Sequence, residues 1–93
     1  MKIERTHPHK LPYPVARARA ESIAIEMSAA YGVAWYWEAS TIHFTGSGVS
    51  KGVTGFLVVA KDHARIVLEL PMLLWGLKTV IDASVREYLA QLD

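Results

Sequence analysis

Residues 48–52, Gly-Val-Ser-Lys-Gly, match the G-x-S-x-G pattern that surrounds the nucleophilic serine of many hydrolases. In those enzymes the serine stands on a sharp turn between a strand and a helix, and an acid and a histidine follow it. Here a predicted strand follows Gly52, and the later histidine, His63, is next to Asp62, which cannot orient it across a triad. We therefore interpret the glycines as hairpin residues and predict no nucleophile at Ser50.

The histidines are the other residues whose type suggests chemistry, either metal binding or proton transfer. They are His7, His9, His43 and His63. A metal site needs three or four convergent ligands, and the chain has no cysteine and no cluster of acids to complete one. We predict solvated surface histidines and neither a metal nor another cofactor. A general acid–base role for His43 beside Tyr36 is a second interpretation.

Two arginines, Arg17 and Arg19, fall in the first turns of a predicted helix, where the helix dipole disfavours cations. Glu21 follows Arg17 by four residues, a spacing that allows an ion pair. One interpretation is a solvated helix face. The other is that Arg17 and Arg19 contact an anionic ligand or partner.

Length and composition indicate one ordered domain over residues 1–93. The chain is 52% apolar and 20% charged, as globular proteins are. Its net charge is +1 and its basic residues are scattered, which argues against nucleic acid as a partner. The absence of cysteine suits the cytoplasm. The first residues lack the apolar core of a signal peptide, and the longest apolar run, residues 70–77, is too short to be a transmembrane segment.

Hydrophobic periodicity predicts the elements that position these residues. A helix begins at Pro14 and ends at Gly32, and its apolar stripe is Ala16, Ala20, Ile23, Met27 and Ala30/Tyr31. A second helix begins between Pro71 and Trp75, and its stripe is Leu74, Leu77, Ile81, Val85, Tyr88 and Leu92. The predicted strands are residues 2–7, 33–38, 41–45, 53–60 and 64–70. Short connections favour an antiparallel meander of the last four strands. The order is β-α-β-β-β-β-α, an α+β fold with two helices on one face of an antiparallel sheet. The pairing of the first strand with residues 64–70 stays open.

Each strand carries bulky residues on both faces. We expect the helices to cover the face with Trp35, Trp37, Ile42, Phe44, Leu57, Val59, Ile66 and Leu68. The opposite face would carry Tyr36, His43, Phe56, Val58, Arg65, Val67 and Glu69. Because two helices cover only one side of the sheet, Tyr36, Phe56, Val58 and Val67 are predicted to contact a second copy of the chain, as a homodimer, or another protein partner.

Residues 70–77 contain more apolar side chains than a helix stripe can use. Leu74 and Leu77 fit the stripe, whereas Met72, Leu73 and Trp75 do not. One explanation is additional core beneath the open end of the sheet. The other is an exposed apolar rim that contacts a hydrophobic surface, a lipid-like ligand or a second subunit.

The chain resembles the bacterial family of polyhydroxyalkanoic acid system proteins, also called granule-region proteins. The resemblance covers essentially the whole length. It rests on residues 16–21, 31–32, 36–38, 42–44, 47–49, 77–78 and Ile81. Turn residues 38–40 and residues 75–76 depart from the family pattern. Because members are encoded beside genes for the storage polyester polyhydroxyalkanoate, and some associate with its granules, the resemblance implies a cytoplasmic accessory role near a polyester granule surface. It provides no established catalytic residues to transfer to this chain.

Two functions follow as hypotheses. The first is a non-enzymatic, granule-associated or regulatory protein of polyhydroxyalkanoate metabolism that binds a partner or forms a dimer. The second is a small-molecule binding domain for a lipid or hydroxy acid. It would hold its ligand in a helix-grip-like cavity between Trp35, Trp37 and Leu77.

Overall fold

The computed structural model describes all 93 residues and has the predicted order β-α-β-β-β-β-α. The strands are β1 (Lys2–Pro8), β2 (Ala34–Glu38), β3 (Thr41–Thr45), β4 (Thr54–Val59) and β5 (His63–Glu69). The helices are α1 (Tyr13–Tyr31) and α2 (Lys78–Leu89). Three short 3-10 helices span Gly48–Ser50, Met72–Leu77 and Ala90–Leu92. The predicted strand bounds agree with the observed ones to within one residue.

The five strands form one antiparallel sheet in the order β1-β5-β4-β3-β2. The first strand pairs with β5 at one edge, which resolves the question that the sequence left open. Four antiparallel steps separate β1 from β2, so the two edge strands run in the same direction. The 19 residues of α1 extend about 28 Å, enough to cross the roughly 19 Å between the edge strands of a five-stranded sheet.

Helix α1 packs on the sheet through small side chains. Its buried residues are Ala16, Ala20, Ile23, Ala24 and Met27. It ends at Gly32, whose φ of 73° is the predicted left-handed cap and whose N–H donates to the Ser28 carbonyl at 2.9 Å. The predicted stripe was wrong at its end, because Ala30 and Tyr31 are exposed.

Helix α2 begins later than the sequence indicated, at Lys78. The preceding residues, Met72–Leu77, form a 3-10 helix. Because a 3-10 helix has three residues per turn, it breaks the 3.6-residue stripe, and Leu77 is half exposed instead of buried. Farther along, Val85, Leu89 and Leu92 reach the core, and Leu89 was not in the predicted stripe.

A single hydrophobic core fills the space between the helices and one face of the sheet. The predicted core residues Ile42, Phe44, Leu57, Val59, Ile66 and Leu68 are all buried there. Trp35 and Trp37 are half-buried against the same core. The opposite face of the sheet carries no helix, so the one-sided layering predicted from the sequence is confirmed.

Candidate functional site

An apolar groove of about 240 Å³ opens between α2, the C-terminal half of α1 and the end of β5. Thirteen of its fifteen lining residues are hydrophobic. Met27 of α1, Leu68 of β5 and Ile81 of α2 represent the three elements that form its walls. An apolar cavity of this kind holds water poorly and favours an apolar occupant.

The rim of this groove exposes large hydrophobic side chains. Leu73 is 94% exposed, Val49 is 83% exposed and Met72 is 73% exposed. None of the six residues of the Met72–Leu77 helix is buried, and the Trp75 indole N–H donates to the Leu70 carbonyl at 3.2 Å. The explanation of these residues as additional core is therefore wrong, and they form an exposed rim. We call residues 46–53 and 70–81 together the apolar end.

Loop contacts hold the two segments of the apolar end together. Gly52 has a φ of 93° and lies so close to Pro71 that a Cβ atom on it would be 3.0 Å from the proline Cβ.

The Ser50 hydroxyl donates to the Ser47 carbonyl at 3.1 Å and accepts from the Ser47 N–H at 3.2 Å. Ser50 is thus a buried loop residue and no histidine contacts it, so the G-x-S-x-G match belongs to a turn.

The charge of the apolar end is entirely basic. Lys51 and Lys78 are its charged residues, both are exposed, and it contains no aspartate or glutamate. Lysine can lay its aliphatic stem along an apolar surface while its ammonium group stays in water. These two side chains therefore do not prevent the rim from contacting a hydrophobic surface.

The uncovered sheet face forms a second candidate surface. Strand register aligns one row across all five strands, made of Glu4, Val67, Phe56, His43 and Tyr36. The rings of Tyr36 and His43 stack with centroids 5.1 Å apart. Tyr36 is exposed, Phe56 is half-buried, and Val67 is only 6% exposed. No helix covers this row.

Charged residues border that row. Glu4 accepts hydrogen bonds from Arg65, including one from Arg65 Nε at 3.1 Å, and this contact holds the pKa of Glu4 below its usual value. Val58 lies beside Arg65 in the next row and is half-buried. The face thus has an apolar centre with charged ends, as the sequence indicated. Its role as a contact surface stays a prediction.

A family model described as "Putative polyhydroxyalkanoic acid system protein" matches residues 3–92. The chain belongs to this family. A search of curated proteins and a search of solved structures found no match. The matched region includes both helices and the whole sheet apart from Lys2. The resemblance stated from the residues is therefore confirmed.

In this polyhydroxyalkanoic acid system protein, Arg17 and Arg19 both have intramolecular partners. The Arg17 guanidinium lies over the Trp37 ring at 3.7 Å from its centroid and donates to the Ala39 carbonyl at 2.9 Å. Glu21 accepts from the Trp37 indole N–H at 2.9 Å, and the predicted Arg17–Glu21 ion pair is absent.

Arg19 contacts the opposite end of the chain. It donates to the carbonyl oxygens of Gln91 at 3.0 Å and Asp93 at 3.1 Å. The structure therefore does not bring Arg17 and Arg19 together, and an anion contact by either stays a prediction.

The histidines lie in four separate places. His7 contacts Asp93 at 2.6 Å, His63 contacts Asp62 at 2.8 Å, and His43 is 3.5 Å from Glu38. The description of all four as solvated was wrong for His9, which is 6% exposed. Its Nδ1 accepts from the Leu11 N–H, so its Nε2 carries the proton and donates to the Ala60 carbonyl. No group of three potential metal ligands occurs.

The predicted cavity between Trp35, Trp37 and Leu77 does not exist in that form. Leu77 lines the groove, but neither tryptophan does. The reason is that α1 crosses the sheet over β2 and places Arg17 and Glu21 against Trp37, which closes that end of the core.

Sequence reasoning missed groove residues such as Met27, Val80 and Tyr88. Val80 is the one residue that could have indicated the groove from the sequence, because it is apolar but does not fit the apolar stripe of α2.

No helix of the protein is both long and apolar enough to cross a membrane.

Proposed function

We propose that the protein is an accessory protein of polyhydroxyalkanoate metabolism that acts by binding rather than by catalysis. In this proposal it works in the cytoplasm, and its apolar end contacts the hydrophobic surface of the polyester granule. The observation that carries the proposal is the Met72–Leu77 helix. It consists of five apolar residues and Gly76, and none of the six is buried.

Energetic reasoning supports reversible adsorption. Fully burying a leucine or methionine side chain contributes roughly 1.5–3 kcal/mol. The exposed side chains of Val49, Met72, Leu73 and Trp75 together offer a gain similar in size to the entropy cost of association, about 4–15 kcal/mol. We therefore expect the protein to bind a polymer surface and to leave it again.

The polar groups near the apolar end support binding over catalysis. Both hydrogen-bonding functions of the Ser50 hydroxyl are engaged within its own loop. The two hydrogen-bonded His–Asp pairs are His7 with Asp93 at 2.6 Å and His63 with Asp62 at 2.8 Å, and neither histidine is hydrogen-bonded to a serine or threonine hydroxyl. Nothing in this arrangement places a base against a nucleophile.

Co-sedimentation with polyhydroxyalkanoate particles tests the proposal. The double variant Met72→Asp/Leu73→Asp should lose at least tenfold in bound fraction, because two charges would have to be buried at the polymer surface. The matched control is Val15→Asp/Ile25→Asp, which places the same charges on exposed apolar positions of α1. The control should bind as the unmodified protein does. Equal binding by all three proteins would overturn the proposal.

The groove favours a second function, the binding of a small hydrophobic ligand. Its volume of about 240 Å³ lies just below the roughly 300–1,000 Å³ that is usual for ligand pockets. A short acyl chain fits such a space, whereas a large cofactor does not. This function and granule contact are compatible, because the groove opens within the apolar end.

Self-association is a further part of the proposal. The open sheet face has an apolar centre around Phe56 and Val67, and a second copy of the chain would cover it. The two surfaces lie on different parts of the molecule, so a dimer formed through the sheet leaves both apolar ends free.

A further inference from the structure

The lining of the groove contains no charged side chain. Its fifteen residues include no lysine, arginine, histidine, aspartate or glutamate. The two lysines of the apolar end, Lys51 and Lys78, are not among them. A carboxylate entering this groove would lose its hydration without gaining a cationic partner, which is unfavourable. The occupant that this lining suits is therefore uncharged.

Hydroxyl groups occur on one wall of the groove. Tyr31, Ser84 and Tyr88 line it where α1 and α2 meet, and the Tyr31 hydroxyl lies 3.5 Å from Ser84 Oγ. That distance is long for an O–H···O hydrogen bond, so these groups can exchange it for a ligand acceptor. Burial raises the pKa of Tyr88, so its hydroxyl stays protonated and able to donate at neutral pH.

The remaining walls are hydrocarbon and continue onto the rim. Val49, Leu77 and Val80 line the groove and are also at least half exposed. A chain that leaves the groove therefore passes directly onto the apolar end. This continuity suits a ligand whose alkyl part enters the groove while the rest stays on the surface.

From these three features we propose that the groove binds an uncharged hydroxyacyl ester chain. Its alkyl part lies against Met27, Leu68 and Ile81, and its ester or hydroxyl oxygen accepts a hydrogen bond from the Tyr31, Ser84 and Tyr88 cluster. The inference rests on the proposed function, because it names the part of the polyester that the apolar end takes up. A free fatty acid should bind more weakly, because its carboxylate loses hydration on entering a groove that has no cationic side chain.

Titration with a matched pair of ligands tests this inference. Methyl hydroxyoctanoate and the hydroxyoctanoate anion have the same alkyl chain and differ in charge. We expect the methyl signals of Ile81 and Val85 in NMR spectra to shift on titration with the ester. The affinity derived from these shifts at pH 8 should be at least tenfold higher for the ester than for the anion. Equal or tighter binding of the anion, or no response to the ester, would overturn the inference.

Variants separate this inference from granule contact. Ser84→Phe fills the groove from a position outside the apolar end and should abolish ester binding while particle adsorption is retained. Met72→Asp/Leu73→Asp should do the reverse, with ester binding retained. If Ser84→Phe does not fold, Tyr31→Phe/Ser84→Ala replaces it. Removal of these partly exposed hydroxyls should weaken ester binding about three- to tenfold. Unchanged ester affinity in the folded groove variants would contradict the proposed site.

Discussion

Ala39 has a φ of 54° in the two-residue turn that joins β2 to β3. This left-handed conformation costs an L-residue roughly 1–2 kcal/mol, and glycine adopts it without that cost. Glycine also loses more entropy on folding, about 0.5–1 kcal/mol. We expect Ala39→Gly to raise the free energy of unfolding by about 0.5–1 kcal/mol, the difference of these two effects.

Urea denaturation measures this effect. The same substitution in a helix serves as control, because Ala18→Gly at an exposed position of α1 should lower stability by about 1 kcal/mol. A lower midpoint for Ala39→Gly than for the unmodified protein would show that the turn does not carry this strain.

Single polar residues were the hardest to predict from the sequence. The sequence predicts a solvated His9, yet its Nε2 donates to the carbonyl of Ala60, which is 51 residues away. The i,i+4 spacing predicts that Arg17 pairs with Glu21 on its own helix, but Arg17 contacts Trp37 and Ala39 of the β2–β3 hairpin. Local spacing identifies neighbours within a helix and contains no information on such distant partners.

At the scale of elements, one ion pair connects β1 to α2. Arg5 donates from Nε to Asp82 Oδ1 at 3.0 Å and from Nη2 to Oδ2 at 2.6 Å. The hydrogen bonds from Arg5 hold the pKa of Asp82 below its ordinary value. Because the folded pKa is the lower one, the pair stabilises the fold above the unfolded pKa of about 3.9 and loses this effect as pH falls through the folded pKa.

This sign sets the expected behaviour of Asp82→Asn. The variant should unfold at a lower denaturant concentration than the unmodified protein at pH 7, and the difference should shrink below about pH 4. Glu87→Gln, an exposed position on the same helix with no ion pair, should follow the unmodified protein at every pH. A difference for Asp82→Asn that stays constant from pH 7 to pH 2 would contradict this role.

The start of α2 shows where element prediction failed. The apolar residues from Leu70 to Leu77 suggest a buried helix stripe, and the structure has a 3-10 helix there in which only Leu74 packs against the core, partly buried. Gly76 correctly indicated that the regular helix starts later, since glycine weakens a helix interior. The hydrophobic pattern alone does not distinguish a buried stripe from an exposed rim, because both need the same residue types.

At the scale of the whole molecule, the order of elements and the one-sided layering followed from the sequence. Alternation within the strands assigned Ile42, Phe44 and Leu57 to the core correctly. The groove did not follow, because its walls come from α1, β5 and α2, which are distant in the chain. Predicting it needs the angle at which the two helices pack, and no local pattern contains that angle.

The uncovered sheet face gives a prediction at this scale. If a second copy covers it, Tyr36→Glu/Phe56→Glu should shift the protein from dimer to monomer in light scattering and leave its circular dichroism spectrum unchanged. Val67 is a poorer position for such a test, because a charge at a site that is 6% exposed would also destabilise the fold. If the unmodified protein is monomeric at every accessible concentration, this interface does not exist.

Hydrogen–deuterium exchange with and without polyhydroxyalkanoate particles tests the central claim most directly, because it maps the contact surface without any substitution. We expect slower exchange in residues 46–53 and 70–81 when particles are present, and unchanged exchange in β2, β3 and β4. Protection that is confined to the strands, with the Met72–Leu77 helix exchanging as fast as in the free protein, would contradict the assignment of the apolar end as the binding surface.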